Sequence, residues 1–296
     1  MHRTIAVPSV AAILLGATAT LMGAQLAINY SYRTLDVPAA LGDGTSAYGI
    51  NNRGDVVGNF VAAGSVDGFV YRNGHFSVVE IPGASPDNAG ALSGVNDRGT
   101  AVGSYIDGDT GVEHAFTLNS RGRIKNLPDV EPDAPATVAI GINNRGTIVG
   151  YFFDAGGDGH AFIYDNGTYT PYDHAGASVT VFNGINDRGD IVGYYLDAYF
   201  NRHSFVLNDG VETSIQPPAA VSTTASGINN RRVVVGGYRL ADGTFHSFVW
   251  RDRVVTTVEL PGAPNAVFGG INDDGDIAGT YDFFSHGLVA TPHKQH

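Results

Sequence analysis

The chain contains no cysteine. A disulfide framework and a thiolate metal site are therefore excluded. Basic residues are scarce: 17 Lys and Arg stand against 29 Asp and Glu, for a formal net charge of −12. Nucleic acids and anionic membrane surfaces are held by clustered Lys and Arg, so this balance argues against both partners. It is compatible with cations, neutral sugars and other polar ligands. No Gly-x-Ser-x-Gly elbow, His-Glu-x-x-His, Walker loop or dinucleotide fingerprint occurs. No long helical periodicity runs through the residues after 30.

What is present is a repeat. In its cleanest copy it reads Gly184-Ile185-Asn186-Asp187-Arg188-Gly189-Asp190-Ile191-Val192-Gly193-Tyr194-Tyr195. Other copies begin at Gly49, Gly94, Gly141, Gly227 and Gly270, at spacings of 45, 47, 43, 43 and 43 residues. Four-stranded propeller blades recur at about 40–45 residues. The 40 glycines, without a collagen period, suit a fold with many tight turns.

Each unit holds four candidate strands. In unit four, strand a is Val181–Asn186, strand b Asp190–Tyr195, strand c His203–Leu207 and strand d Val211–Gln216. The a–b turn is Asp187-Arg188-Gly189 and the c–d turn Asn208-Asp209-Gly210. Asn or Asp followed by Gly between β-rich runs is a hairpin signal, because the turn needs positive φ. Unit six ends on its strand c, His286–Thr291, whereas a spare d-like strand, Tyr32–Pro38, sits at the front. That strand is expected to complete the last sheet. The expectation is an all-β, six-bladed β-propeller of four-stranded blades over residues 30–292, its ring closed by the N-terminal strand, with a tail at 293–296.

The opening of strand c reads His114-Ala115-Phe116, His160-Ala161-Phe162, His203-Ser204-Phe205 and His246-Ser247-Phe248. With Gly-Ile-Asn-(Asn/Asp)-Arg-Gly, this pattern resembles the HAF-repeat family of bacterial extracellular proteins. The resemblance covers residues 32–291 and implies a repeat scaffold and export, with no shared activity. Units one and six depart from it, with Asp67-Gly68-Phe69 and His286-Gly287-Leu288.

The first residues fit that implication. His2 and Arg3 precede an uncharged apolar stretch, Ile5–Ala24, and small residues follow. Residues 1–27 read as a cleaved signal peptide, with secretion to the extracellular space or periplasm and no membrane contact afterwards. A membrane anchor is the rival reading, weakened by Pro8, two glycines and several Ser and Thr.

Residues found in every unit build the blade. The histidines of strand c, His114, His160, His203, His246 and His286, are expected to be hydrogen-bonded structural residues, too far apart for a common metal. Arg232 replaces the turn glycine in unit five. A side chain at positive φ costs about 1 kcal/mol, so Arg232→Gly is expected to stabilise.

Function is expected where units differ. The b–c and d–a connections vary in length and lie on the face opposite the uniform a–b and c–d turns. Strand a starts and strand b ends at that face nominate Tyr48, Ser93, Ser104, Tyr151, Asn183, Tyr194 and Ser226 as ligand-binding residues. Carboxylates in the variable loops, Asp107, Asp109, Asp154 and Asp158, nominate a calcium site. The functional expectation is a binding or interaction module for carbohydrate or another cell-surface ligand. The alternative is a propeller hydrolase or lyase with a calcium-assisted site at the channel mouth. Three or more carboxylates converging on the axis favour the enzyme; an uncharged axis favours the module.

Overall fold

The computed structural model describes residues 29–293, apart from 40, 41, 63, 88, 89 and 132, and every regular element among them is a β-strand. The signal-peptide segment and residues 294–296 of the tail lie outside the described residues.

Strands a to d follow chain order in each unit. Unit one comprises Asp43–Ile50, Val56–Ala62, Ser65–Arg72 and His75–Val79; unit two Ala91–Val95, Ala101–Ile106, Glu113–Leu118 and Ile124–Asn126. Unit three comprises Ala136–Ile142, Ile148–Phe153, Gly159–Asp165 and Thr168–Tyr172; unit four Thr180–Ile185, Ile191–Leu196, Arg202–Asn208 and Val211–Ile215. Unit five comprises Ala220–Ile228, Val234–Leu240, Phe245–Arg251 and Val254–Val258. Unit six supplies Val267–Ile271, Ile277–Tyr281 and His286–Pro292, and its fourth strand is Tyr30–Thr34, paired antiparallel from Tyr30↔Pro292 to Thr34↔Leu288.

The sheet count differs from the expected six separate four-stranded blades. Four sheets have four strands, and units two and three share one sheet of eight. The cause is local: Ala136 pairs in parallel with Glu113, and Glu113 N donates to Pro135 O at 3.2 Å. That one contact joins two meanders that otherwise pair internally. The leading d strand also begins earlier than the sequence pattern indicated and ends at Thr34, after which Leu35 N donates to Gly287 O at 2.8 Å.

The hairpin turns have the expected geometry. In the c–d turns, Asn73 and Gly74, Asn166 and Gly167, and Asp209 and Gly210 all take positive φ. Packing is between neighbouring units. Phe69, Phe116, Phe162, Phe205 and Phe248 of strand c are fully buried, as are Phe182 and Phe268 of strand a. Each buried phenyl ring stabilises by about 1.5–3 kcal/mol relative to exposure.

Two glycines show how tightly the inner strands pack. A Cβ on Gly193 would sit 2.1 Å from Val181 O, because strand a of unit four bulges between Phe182 and Gly184. A Cβ on Gly270 would meet Tyr48 O at 2.8 Å, so strand a of unit six lies directly against strand a of unit one.

Candidate functional site at the mouth of the axis

The six inner strands have two ends of opposite character. At the a–b turns the hydrogen-bonding pattern of the first Asn repeats in every unit. The first Asn of each motif folds its Oδ1 over its own turn: Asn186 Oδ1 accepts from Arg188 N and Asp190 N, each at 3.0 Å. Its Nδ2 then donates to the next unit. Asn51 reaches Asn96 O at 2.9 Å, Asn96 reaches Asn143 O at 3.0 Å and Asn143 reaches Asn186 O at 3.2 Å. Asn186 reaches Asn229 O at 3.0 Å and Asn229 reaches Asn272 O at 2.9 Å. Asn272 then reaches back to Asn51 O at 3.2 Å.

The next residue alternates around this circuit: Asn52, Asp97, Asn144, Asp187, Asn230, Asp273. Each Asn amide donates to the carboxylates on both sides. Asn144 Nδ2 lies 2.7 Å from Asp97 Oδ2 and 2.9 Å from Asp187 Oδ2. Asn230 Nδ2 lies 2.9 Å from Asp187 and from Asp273. Asn52 Nδ2 lies 2.9 Å from Asp97 and 3.0 Å from Asp273. The other carboxylate oxygens accept from backbone: Asn52 N, Asn144 N and Asn230 N donate to Asp97, Asp187 and Asp273 at 2.7–2.8 Å. Two donors on each amide match two flanking acceptors, so no donor on these amides is left over. Burial pushes the Asp187 carboxyl up, but its hydrogen bonds from Asn144 and Asn230 outweigh this and hold it below the ordinary carboxylate range. The throat these side chains enclose is about 70 Å³.

At the opposite end the pattern is broken. The residue before each motif glycine is Tyr48, Ser93, Ile140, Asn183, Ser226 and Gly269. All six line one cavity of about 320 Å³, joined by Tyr151 and Tyr194 from strand b. Of the seven nominated residues, six therefore share this wall. Ser104 does not: its Oγ donates to Glu113 Oε1 at 2.6 Å. Asn183 Nδ2 donates to Ala225 O at 2.8 Å. Tyr151 is largely buried, and burial first, then the nearby Glu113, pushes its phenol up to about 12, so it stays a neutral donor. Its wall carries one charged group, the Arg202 guanidinium, 4.8 Å above the Tyr194 ring. No carboxylate lines it. A larger cavity, about 540 Å³, lies on the turn side between units five and six, next to Asn29 where the described chain starts.

The aspartates nominated for calcium do not form a site. Asp107 and Asp109 share one loop and Asp154 and Asp158 another, in units two and three. Asp107 Oδ1 accepts from Thr110 N at 2.8 Å and Asp109 N at 3.1 Å; Asp154 Oδ1 accepts from Gly156 N at 2.8 Å and Asp158 N at 2.9 Å. These carboxylates tie their own loops. Among the described residues no group of three or more His, Asp or Glu side chains could hold a metal ion.

The strand c histidines occur once in each of units two to six, and each is paired with an acid. Nδ1 of His114, His160, His246 and His286 lies 2.8 Å from Asp129, Asp173, Glu259 and Asp36 respectively. In unit four Gln216 stands at the acid's position, and His203 turns to Asp197 instead, Nε2 to Oδ2 at 2.9 Å. The rings stack on strand b aromatics, as His160 on Phe152 at 5.0 Å and His286 on Tyr281 at 4.9 Å.

Sequence reasoning missed two features. The Asn/Asp alternation was readable at the fourth motif position. The aromatic rim was partly readable: Phe200, Phe245 and Phe284 line a second cavity of about 310 Å³, which shares Arg202, Thr224, Ser226 and Val267 with the first. Phe200 and Phe284 hold positive φ, at 62° and 68°, an uncommon backbone state for bulky side chains.

No family model matches the chain, and no curated protein matches its sequence. Solved structures do. A streptogramin B lyase aligns with a TM-score of 0.51 at 16% identity, over 90% of this chain and 98% of its own. A putative TolB from Agrobacterium tumefaciens aligns with a TM-score of 0.59 at 12% identity, over 86% and 91%. An Aleuria aurantia lectin, in complex with Fucalpha1-6GlcNAc, aligns with a TM-score of 0.50 at 11% identity, over 81% and 90%. These are propeller proteins, and the likeness defines the fold class: an all-β propeller.

Proposed function

We propose that the protein is an exported binding module of the HAF-repeat type, a six-bladed closed propeller that takes a carbohydrate at the cavity of Tyr48, Tyr151, Asn183 and Tyr194. One observation carries the reading. Around the same six inner strands, one end is built by a repeated, hydrogen-bonded pattern, while the other carries six positions filled by five residue types that share a cavity. Repetition builds a scaffold; broken repetition on a rigid scaffold is where binding resides.

Closure of six units is supported by the asparagine circuit, which returns from Asn272 to Asn51, and by Tyr30–Thr34 lying beside His286–Pro292. On this reading the shared eight-stranded sheet is two blades joined at Glu113 and Ala136. Export is supported by the composition of residues 1–27. The carbohydrate class is supported by aromatic and amide groups in the cavity, and by the lectin among the similar structures. The hydrolase or lyase alternative draws on carboxylates converging on the axis. Asp97, Asp187 and Asp273 do converge at the turn end, but each is held between two Asn amides in a throat of about 70 Å³, and none lines the mouth cavity.

A glycan array and a pull-down from whole-cell extract test the proposal. Saccharide binding that is lost in Tyr151→Ala and Tyr194→Ala supports it; silence in both assays removes it.

A further inference from the structure

The joined cavities at the mouth hold an unusual charge for this chain. Arg202 and Arg239 both line the outer one, with His246 beside them. No carboxylate lines either cavity, although the whole chain carries a net charge of −12. Among the described residues neither arginine makes an ion pair; the Arg202 side chain lies over the Tyr194 ring and meets Thr224 Oγ1 at 3.5 Å, and its backbone N–H donates to Ser222 Oγ at 3.3 Å. His246 is bound to Glu259 through Nδ1 and faces Thr244 Oγ1 with Nε2 at 3.3 Å.

Around these cations stand exposed aromatics. Phe200, Phe245 and Phe284 are 77%, 52% and 53% exposed. Phe245 opens strand c of unit five, and the other two are held by built loops. Asp197 Oδ1 accepts from Tyr199 N at 2.8 Å and Asn201 N at 2.9 Å, which fixes the loop that presents Phe200. Asp282, Phe283 and Phe284 all hold positive φ, with Ser285 N donating back to Asp282 O at 3.1 Å. Backbone strain of this kind persists where the surroundings impose it, and it gathers at ligand clamps. Apolar side chains exposed this way mark interaction sites.

We infer that the ligand is an acidic saccharide, whose carboxylates are taken by the Arg202 and Arg239 guanidinium groups while its rings lie on Phe200, Phe245 and Phe284. This rests on the carbohydrate reading above and narrows it. A guanidinium fork matches a carboxylate in two parallel hydrogen bonds, and neither arginine spends that fork on an acid of the described chain; Arg202 gives only a long Nη1 contact to Thr224 Oγ1. An acidic chain that keeps carboxylates out of one cleft removes the repulsion such a ligand would meet elsewhere on its surface.

Titration calorimetry with an oligogalacturonide, its fully methyl-esterified form and a dextran sulfate oligomer tests this. The acid form is expected to bind at least about tenfold tighter than the ester, with affinity falling as salt rises. Arg202→Gln and Arg239→Gln, each with unchanged melting temperature, are expected to remove most of that preference, and Arg202→Lys to restore part of it. Equal binding of acid and ester overturns the acidic class and leaves the carbohydrate reading standing. Binding of dextran sulfate alone overturns the carboxylate assignment. Binding of none of the three, together with a silent array, overturns both.

Discussion

Arg232 of unit five closes a fork on Asp190 of unit four: Nε lies 2.8 Å from Oδ2 and Nη2 3.1 Å from Oδ1. The carboxylate is fully buried and the guanidinium is half exposed. Burial pushes the Asp190 carboxyl up, but Arg232, Asn186 and Asn208 outweigh this and hold it below its usual range. The backbone of Arg232 does hold the left-handed turn, at φ 59°, as the glycine-for-arginine exchange indicated.

Arg232→Gly should therefore destabilise, the reverse of the expectation from turn geometry alone. A side chain in the left-handed region costs about 1 kcal/mol. A buried carboxylate left without its cation costs several kcal/mol by itself, and this one keeps only Asn186 and Asn208. Thermal melting should show Arg232→Gly below wild type, and Asp190→Asn added to it should recover part of the loss. A Tm at or above wild type for the single variant would show that the fork contributes less than the turn strain.

Asn144→Asp should be among the most damaging single-atom changes in the chain. It removes two donations and sets a third carboxylate between Asp97 and Asp187. A lost pair of hydrogen bonds plus like-charge contact amounts to about 2–4 kcal/mol. The defect should shrink as pH falls, starting above the ordinary carboxylate range, because the two flanking carboxylates raise the pKa of the new group. Wild type has the opposite trend. Asp55, Asp187 and Asp190 have lowered folded pKa values, so their stabilisation is present above the ordinary carboxylate pKa and is lost as pH falls through the folded values. Melts of both proteins from pH 3 to 7 check the pair of slopes.

His160 should titrate above an unperturbed histidine. Burial alone lowers it, but the Asp173 hydrogen bond at 2.8 Å and Asp154 at 3.5 Å outweigh that, and the net direction is up. A raised folded pKa means stabilisation that is full below about pH 6.5 and is lost as pH rises through the folded value. NMR titration of the imidazole reads the pKa. His160→Gln should flatten the stability difference between pH 6 and 8; an unshifted imidazole would show the acid pairs to be water-screened.

Removing Tyr30–Thr34 should expose the edge of His286–Pro292 and strip the packing of Tyr30 on Phe268, at 6.3 Å, and Tyr32 on Tyr281, at 5.8 Å. The truncated chain should melt well below wild type, and a peptide of residues 29–38 should restore it in trans. Melting unchanged by truncation would show that the last sheet needs only its own three strands.

Much of this was legible because the repeat exposes it. Strand order, the glycine turns and the split last unit followed from period and pairing rules, with unit-four bounds one residue from those observed. Six of the seven nominated residues share one cavity wall because topology alone sends strand a starts and strand b ends to one place. What was not legible depends on partners distant in sequence. Arg232 gave its turn but not Asp190, 42 residues earlier. Asp107 and Asp154 looked like ligands because a sequence does not say that a carboxylate faces its own loop's N–H groups. Glu113 joined two sheets through one parallel pair that no pattern announces.

The central claim is that the non-repeating end of the axis binds saccharide. A glycan array probed side by side with wild type, Tyr151→Ala and Tyr194→Ala tests it most directly. The account predicts discrete saccharide binding by wild type and its loss in both variants, each still cooperatively folded. Tyr151→Ala removes a largely buried ring and is expected to melt lower, so each variant is compared below its own melting transition. Binding that survives both substitutions, or no binding by wild type, would contradict it.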